Sequence, residues 1–376
     1  MRPFVFRNRQ LDRLPFGIRL LFWGLALFLF GTGLTRQTTP LTREADFYHQ
    51  LDNNFVQCDL CPRRCIIAPG HRGFCRVREN RNGRLYSVVY GHPCSMGYEP
   101  IEKAPFFHFL PGQMRITIAT VGCNQRCKYC QNWEISQARP EDVPTPEVPP
   151  AAVVDTALKY HVPIICFTYT EPVVFYEYLC DIARLSRAKH IKTCVVSGGY
   201  VNPEPLKRLC GLVDAIKIDL KGFTGAFYQE VCGSTLEPVL EACRIVAASG
   251  THLELVNLVV PGLNDDSATI HKMCRWVKSE LGDTVPLHFT QFHPDYRLRN
   301  SPVTPVATLE RAIRIGRRVG LKFVYIGNVP GHHDESTFCP ACGRCLIRRQ
   351  GYTVLANNLK DGRCRFCGQH IPGRWQ

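Results

Sequence analysis

Twenty cysteines stand in this chain of 376 residues, and most of them fall into three tight groups whose spacing constrains the fold more than any other feature. The first group is Cys58, Cys61, Cys65 and Cys75. The second is Cys123, Cys127 and Cys130, and the third is Cys339, Cys342, Cys345, Cys364 and Cys367. Secreted disulfide scaffolds are usually short, whereas CxxC-type spacing in a larger chain reads as metal or cluster binding. A thiolate ligand must stay reduced, so the composition argues for a reducing compartment, and the cytoplasm fits best. Hydrophobic residues at 45% and charged residues at 21% are ordinary for a globular protein and exclude a disordered chain or a multi-span membrane protein.

The N-terminus sets a competing signal. Residues 20–34, LLFWGLALFLFGTGL, carry no charge and follow Arg2, Arg7, Arg9, Arg13 and Arg19. That is the layout of a signal peptide or a membrane anchor. The stretch is shorter than the roughly 20 residues of a comfortable span, although residues 16–34 nearly suffice if Arg19 snorkels. Residues 1–40 therefore read as a basic leader that is either a membrane anchor or an extension from a wrongly chosen start codon. Membrane association through residues 16–34 is the alternative to a freely cytoplasmic protein, since export fits badly with oxygen-sensitive clusters.

A cysteine-rich module is expected over residues 55–100, a large domain over 112–330 and a second cysteine module over 336–376. Between residues 116 and 329 short apolar runs alternate with helical stretches, as parallel strands covered on both faces should. Strands are expected at 116–121, 163–169, 193–197, 215–220, 253–260, 287–292 and 323–326, with helices at 173–189, 235–248 and 307–319 among others. This βα alternation implies an α/β fold with a parallel sheet, a partial or complete TIM-like barrel, with a doubly wound open sheet as the alternative. Polar and glycine-rich residues follow the strands: GCNQRC, TEP, GGY, KG, PGLND and HPD in turn. Barrel active sites are built from those loops.

The central motif is Gly122-Cys123-Asn124-Gln125-Arg126-Cys127-Lys128-Tyr129-Cys130. Three thiolates on one short loop can converge on three irons of a 4Fe-4S cubane, and no fourth cysteine follows at ferredoxin spacing. One iron is then left open to a cofactor, much as catalytic zinc keeps an open position. A zinc knuckle or a structural ferredoxin site are the bland alternatives.

CxxxCxxC after the first strand of such a barrel resembles the radical S-adenosylmethionine superfamily. The resemblance places Tyr129 near the adenine of the cofactor. Thr170-Glu171-Pro172 resembles the segment that binds its amino group, with Tyr169-Thr170 in place of the usual glycine pair, and Ser197-Gly198-Gly199 resembles a ribose-side loop. Asp219-Leu220-Lys221 and residues 260–266, VPGLNDD, look like segments of pyruvate formate-lyase activating enzymes, and Asp219 and Lys221 are read as polar anchors near cofactor or substrate; the bland reading is a strand-end ion pair. A wider resemblance runs from Cys58 to Trp375 through CDLCPRRC, GFCRVREN, EPIEKAPFFHFLPG, GCNQRCKYCQNWEIS, FTYTEPVVFYEY, LVVPGLND, GNVPG and IPGRW. Together these look like the radical S-adenosylmethionine enzyme of the AmmeMemoRadiSam system. The implied chemistry is transfer of one electron to the sulfonium of S-adenosylmethionine, giving methionine and a 5′-deoxyadenosyl radical that abstracts hydrogen from a substrate. The protein's part is to bind, orient and seal.

In the first module Cys58, Cys61, Cys65 and Cys75 suit either zinc or a second iron–sulfur cluster, with Cys94 as a substitute ligand. Cys339-x-x-Cys342 and Cys364-x-x-Cys367 are close to a zinc-ribbon layout that closes one tetrahedral zinc site, with Cys345 as a bystander. His288, His293, His332 and His333 read as wall residues. Cys166, Cys180, Cys194, Cys210, Cys232, Cys243 and Cys274 read as core thiols without chemistry.

The leading function is a radical enzyme acting on a protein partner, as glycyl-radical activases do, or on a small molecule or RNA. The alternative is an iron–sulfur electron carrier or metal-stabilised binding module that does not cleave S-adenosylmethionine. A reductant of the flavodoxin or ferredoxin type is the implied partner. The net charge of +14 leaves anionic partners open, but no basic run interleaved with aromatics marks a nucleic-acid groove.

Overall fold

The computed structural model describes residues 43–376, so the basic leader and the apolar segment at 16–34 lie outside the described residues. Among the described residues no helix is long and apolar enough to cross a membrane.

The described residues begin with six short strands: β1 (Arg43–Glu44), β2 (Tyr48–Gln50), β3 (Val56–Cys58), β4 (Ile66–Ile67), β5 (Arg78–Arg81) and β6 (Arg84–Ser87). They form two antiparallel three-stranded sheets, β1-β6-β5 and β2-β3-β4. The cysteines of the first group sit on β3 and in the turns around these sheets. Next comes β7 (Ser95–Pro100), then β8 (Met114–Ala119), α1 (Trp133–Ser136), α2 (Pro150–Lys159), β9 (Ile164–Phe167), α3 (Tyr176–Ala188), β10 (Lys192–Ser197) and α4 (Pro203–Cys210). The series continues through β11 (Ala215–Asp219), α5 (Gly225–Phe227), α6 (Glu237–Ala248), β12 (His252–Val259), α7 (Ser267–Trp276), β13 (Leu287–Gln291), α8 (Val306–Val319) and β14 (Val324–Gly327).

Strands β7 to β14 make one eight-stranded sheet in unbroken sequence order, β14-β13-β12-β11-β10-β9-β8-β7. Pairing is parallel from β8 to β14, and β7 joins antiparallel at one edge. The order never reverses, so the switch point of a doubly wound sheet is missing. The two faces also differ. Ile116, Ile165, Phe167, Ile216, Leu255, Leu287 and Phe289 share one core with helix residues such as Leu179, Leu240, Met273 and Leu309. The opposite face carries Ile164, Cys166, Cys194 and Ala215, which pack on Ile101, Phe106, Phe109 and Leu110 from the loop between β7 and β8. That loop covers the inner side of the sheet where helices cover the outer one.

Glu254 on β12 explains why the loop stays there. Its buried carboxylate accepts N–H bonds from Phe107 (2.9 and 3.0 Å) and His108 (2.8 Å), and meets His252 (3.0 Å) and His288 (2.7 Å). Burial pushes this carboxyl up, but the histidine hydrogen bonds outweigh it and hold it well below the usual range.

The last strands, β15 (Thr337–Phe338), β16 (Cys345–Gln350), β17 (Thr353–Asn357), β18 (Leu359–Lys360) and β19 (Arg363–Cys364), form a small lobe. Its core of Leu346, Ile347, Cys364 and Ile371 is shared with Phe107, Phe323 and Tyr325. The terminal IPGRW is tied in through Leu110 N–H to the Arg374 carbonyl and Arg374 N–H to the His108 carbonyl, both 2.7 Å.

Candidate functional site

Seven parallel strands bring their carboxyl ends to one edge of the sheet, and the loops there meet around Cys123, Cys127 and Cys130. The cysteine loop is fixed mostly by its own backbone. Gly122 N–H donates to the Ile135 carbonyl (3.0 Å), Arg126 N–H to Cys232 O (2.8 Å) and Lys128 N–H to Val231 O (2.9 Å). Side chains complete the frame: Asn124 Nδ2 donates to Tyr200 O (2.7 Å), Gln125 Nε2 to Ser234 Oγ (2.8 Å) and Arg126 Nη1 to Cys123 O (2.6 Å).

Cys127 is buried, while Cys123 and Cys130 are half-buried. The Cys123 sulfur accepts the Gln125 N–H (3.4 Å), and Cys130 lies 3.3 Å from Ser136 Oγ. Burial pushes the Cys123 and Cys130 thiols up, and Cys127 is pushed up first by its contact with the Cys232 thiol and then by burial. Buried thiols of this kind ionise when a cation arrives to pair with them, which is how metal loading drives deprotonation. Three soft donors with no oxygen ligand among them fit an iron–sulfur cluster.

The structure assembles the other sequence candidates around this loop. Tyr129 is buried, its ring 6.3 Å from that of Phe227 and its hydroxyl 3.7 Å from Cys232. Glu171 is 2% exposed. Its oxygens accept from Ser197 Oγ (2.7 Å), Gly198 N–H (2.8 Å) and Val173 N–H (3.2 Å). Glu171 and Ser197 therefore clamp the loops after β9 and β10 to each other. A Cβ on Gly198 would run into the Gln125 side-chain oxygen, which locks the third loop against the cysteine loop.

Asp219 stands between two ammonium groups, Lys217 at 3.1 Å and Lys221 at 3.3 Å. Burial pushes its carboxyl up, but the two lysines outweigh that and hold it below the usual carboxylate range. Lys221 is presented by its neighbours: its N–H donates to Tyr228 OH (3.1 Å) and its carbonyl accepts from Asn264 Nδ2 (2.7 Å). Asn264 also accepts Val260 N–H (2.6 Å), so the asparagine of PGLND closes its own turn while bracing the lysine.

Several residues at this site escape sequence reasoning. Cys232, read as a core thiol, sits against Cys127 and Tyr129, and its own carbonyl holds the loop. Asn124, Gln125 and Tyr228 act as braces whose partners are distant in sequence. The Trp133 and Tyr296 rings stack at 5.2 Å beside the loop, and Arg297 N–H reaches Lys128 O (2.9 Å). His288 is a wall residue, fully buried and bonded to Glu254.

The outer cysteines form two further groups. Cys339, Cys342, Cys364 and Cys367 bring their sulfurs within 4.8 Å of one another, with Cys339 to Cys367 at 3.6 Å and Cys342 to Cys364 at 3.8 Å; Cys345 is outside the group. Cys58, Cys61, Cys65 and Cys75 all line one cavity, and Cys94 does not.

Residues 117–277 match the family model described as the radical SAM superfamily. Over 331 residues the chain is 47% identical to an uncharacterized protein of Methanocaldococcus jannaschii, covering 88% of this chain and 98% of that one. The chain belongs to the radical SAM superfamily. It is an enzyme of the radical SAM type, and its relatives include activating enzymes. The pyruvate formate-lyase-activating enzyme of Staphylococcus epidermidis is 24% identical over 202 residues, which are 49% of this chain and 78% of that enzyme. A solved radical SAM methyltransferase from Sphaerobacter thermophilus aligns with a TM-score of 0.46 at 18% identity, covering 63% of this chain and 71% of that one. The family implies a 4Fe-4S cluster and S-adenosylmethionine.

Proposed function

We propose that Cys123, Cys127 and Cys130 hold a 4Fe-4S cluster at which S-adenosylmethionine is reductively cleaved to start hydrogen abstraction from a substrate. The observation that carries this is the set of three thiols on one braced loop at the carboxyl edge of a parallel sheet, where an α/β enzyme gathers its chemistry. Cys123, Cys127 and Cys130 would hold the cluster, which when bound would supply the single electron for reductive cleavage of the sulfonium C–S bond.

The chain's own residues do the rest. Asp219 and Lys221 are the polar groups that meet cofactor or substrate, held charged by each other and by Lys217. Tyr129 supplies an apolar wall against which the adenine packs. Glu171 and Ser197 hold the second and third loops at the spacing the cofactor requires, so their part is largely to shape the site. The inner loop at residues 101–112 seals the sheet from the far side and keeps water from a reactive radical. A partial barrel open on one side is the form of sheet that suits this reading, because it leaves room for a macromolecular substrate.

The activating enzymes among its relatives are named for protein targets, which favours a protein substrate and a one-electron reductant of the flavodoxin or ferredoxin type. The C-terminal lobe holds zinc in this reading, because a Zn–S bond of about 2.3 Å sets tetrahedral sulfurs about 3.8 Å apart, close to the spacings at Cys339–Cys367 and Cys342–Cys364. The experiment is anaerobic reconstitution, reduction and addition of S-adenosylmethionine. Formation of 5′-deoxyadenosine and methionine is expected, and a yield no higher than that of Cys127→Ala would refute the reading.

A further inference from the structure

The four N-terminal thiols differ from the C-terminal four in how they are arranged. At the C-terminus the sulfurs converge on a point. At the N-terminus they ring a cavity in which the centre of a water-sized sphere has about 20 Å³ of freedom. Adding that sphere's own radius of about 1.4 Å gives a free space roughly 6 Å across, far more than a single zinc ion needs. Apart from the cysteines, Arg63, Arg78 and Asn124 the wall is apolar.

One residue of the wall carries a buried donor without an acceptor among the described residues. Arg78 lines the cavity and is 1% exposed. Two of its nitrogens are engaged, with Glu177 at 3.0 Å and the Asp46 carbonyl at 2.5 Å, but Nε has no partner among the described residues. A buried N–H without a partner needs one, and sulfur of a bridged cluster or its thiolates supplies it.

We propose that Cys58, Cys61, Cys65 and Cys75 hold a second iron–sulfur cluster and not zinc. This adds to the reading of the central loop and does not depend on it, although the two are neighbours. Asn124 of the central loop is part of the cavity wall. Arg126 Nη2 donates to the Phe74 carbonyl (2.6 Å), and a Cβ on Gly122 would lie 2.7 Å from the Cys75 carbonyl oxygen. The two thiol-bearing loops are thus in direct contact, so an electron accepted from a flavodoxin-class donor by the outer cluster, which would be reduced by one unit of charge, would have a short route to the inner one.

The test uses the full chain with Cys123, Cys127 and Cys130 all replaced by Ala, reconstituted without air with iron and sulfide. Iron and sulfide equal to one cluster per chain are expected, with an electron paramagnetic resonance signal appearing on reduction by dithionite. Zinc at both outer sites and no iron would overturn the proposal while leaving the central reading untouched. If that variant fails to fold, metal analysis of the unmodified chain decides: iron for two clusters with zinc for one site supports the proposal, and iron for a single cluster overturns it. Cys61→Ser with Cys65→Ser should remove one cluster's worth of iron and leave the C-terminal metal in place.

Discussion

Replacing Arg78 by methionine tests how the first cysteine module is held to helix α3. Arg78 on β5 and Glu177 on α3 form an ion pair at 3.0 Å with side chains 1% and 0% exposed. Removing the guanidinium strands the carboxylate in the core, where Oε1 keeps the Asp46 N–H (2.8 Å) and Oε2 has no partner among the described residues. Breaking one half of a buried pair costs about 3–5 kcal/mol, and the surviving N–H bond puts this case near about 3 kcal/mol. At about 1.4 kcal/mol per decade that is a roughly hundredfold rise in the opening equilibrium of the module. Native-state hydrogen exchange reads it directly: amides of β5 and β6 should lose about two decades of protection at matched metal loading, with β10 and β11 little changed. Adding Glu177→Gln, which removes the stranded charge and keeps a carbonyl acceptor, should recover much of the loss. A change below about threefold in Arg78→Met would refute the account of this interface, because no screening by solvent reaches the pair.

Three other perturbations follow from the geometry. Gly122 has φ +96°, and a Cβ there would meet both Cys75 O and Val77 Cγ1 at 2.7 Å, so Gly122→Ala should cost about 3 kcal/mol or more and lower iron per chain, while Gly225→Ala, with open space around it, changes neither. His108 is neutral in the fold, its pKa lowered to about 3 by burial, so the unfolded chain takes up a proton first: stability should fall by about 1.4 kcal/mol per unit as pH drops from about 6.5 towards 3, and the acid limb of a denaturant-midpoint profile should flatten in His108→Gln. Cys232→Ser should keep the central iron, measured per chain after reconstitution; loss of that cluster would make Cys232 a fourth ligand and close the iron that the mechanism needs open.

The parallel strands were legible because each is a short apolar run, and the structure places all seven within a few residues of expectation. What escaped was polar or exposed. β7, with the sequence SMGYEP, is half-exposed at the sheet edge and has no apolar periodicity to announce it. Glu254 and His288 interrupt apolar strands because they hold the inner loop, a tertiary role with no local signal. At the site, CxxxCxxC is a local motif and was readable as such. Cys232, Asn124 and Gln125 reach the same place through partners far along the chain. The resemblance of Thr170-Glu171-Pro172 points to Glu171, yet its bonds to Ser197 and Gly198 depend on the register of β9 with β10, which spacing cannot show. Spacing groups the outer cysteines, and only geometry separates four sulfurs at a point from four around a cavity.

The claim on which the account rests is an iron left open by three thiolates and taken by S-adenosylmethionine. The direct measurement is electron paramagnetic resonance of the reduced central cluster, in a chain whose Cys58, Cys61 and Cys65 are replaced by Ser, recorded with and without S-adenosylmethionine. The account predicts that the g values shift when the cofactor is added, because an iron gains new ligands. A spectrum indifferent to the cofactor, or a central loop that loads zinc and no iron, would contradict it.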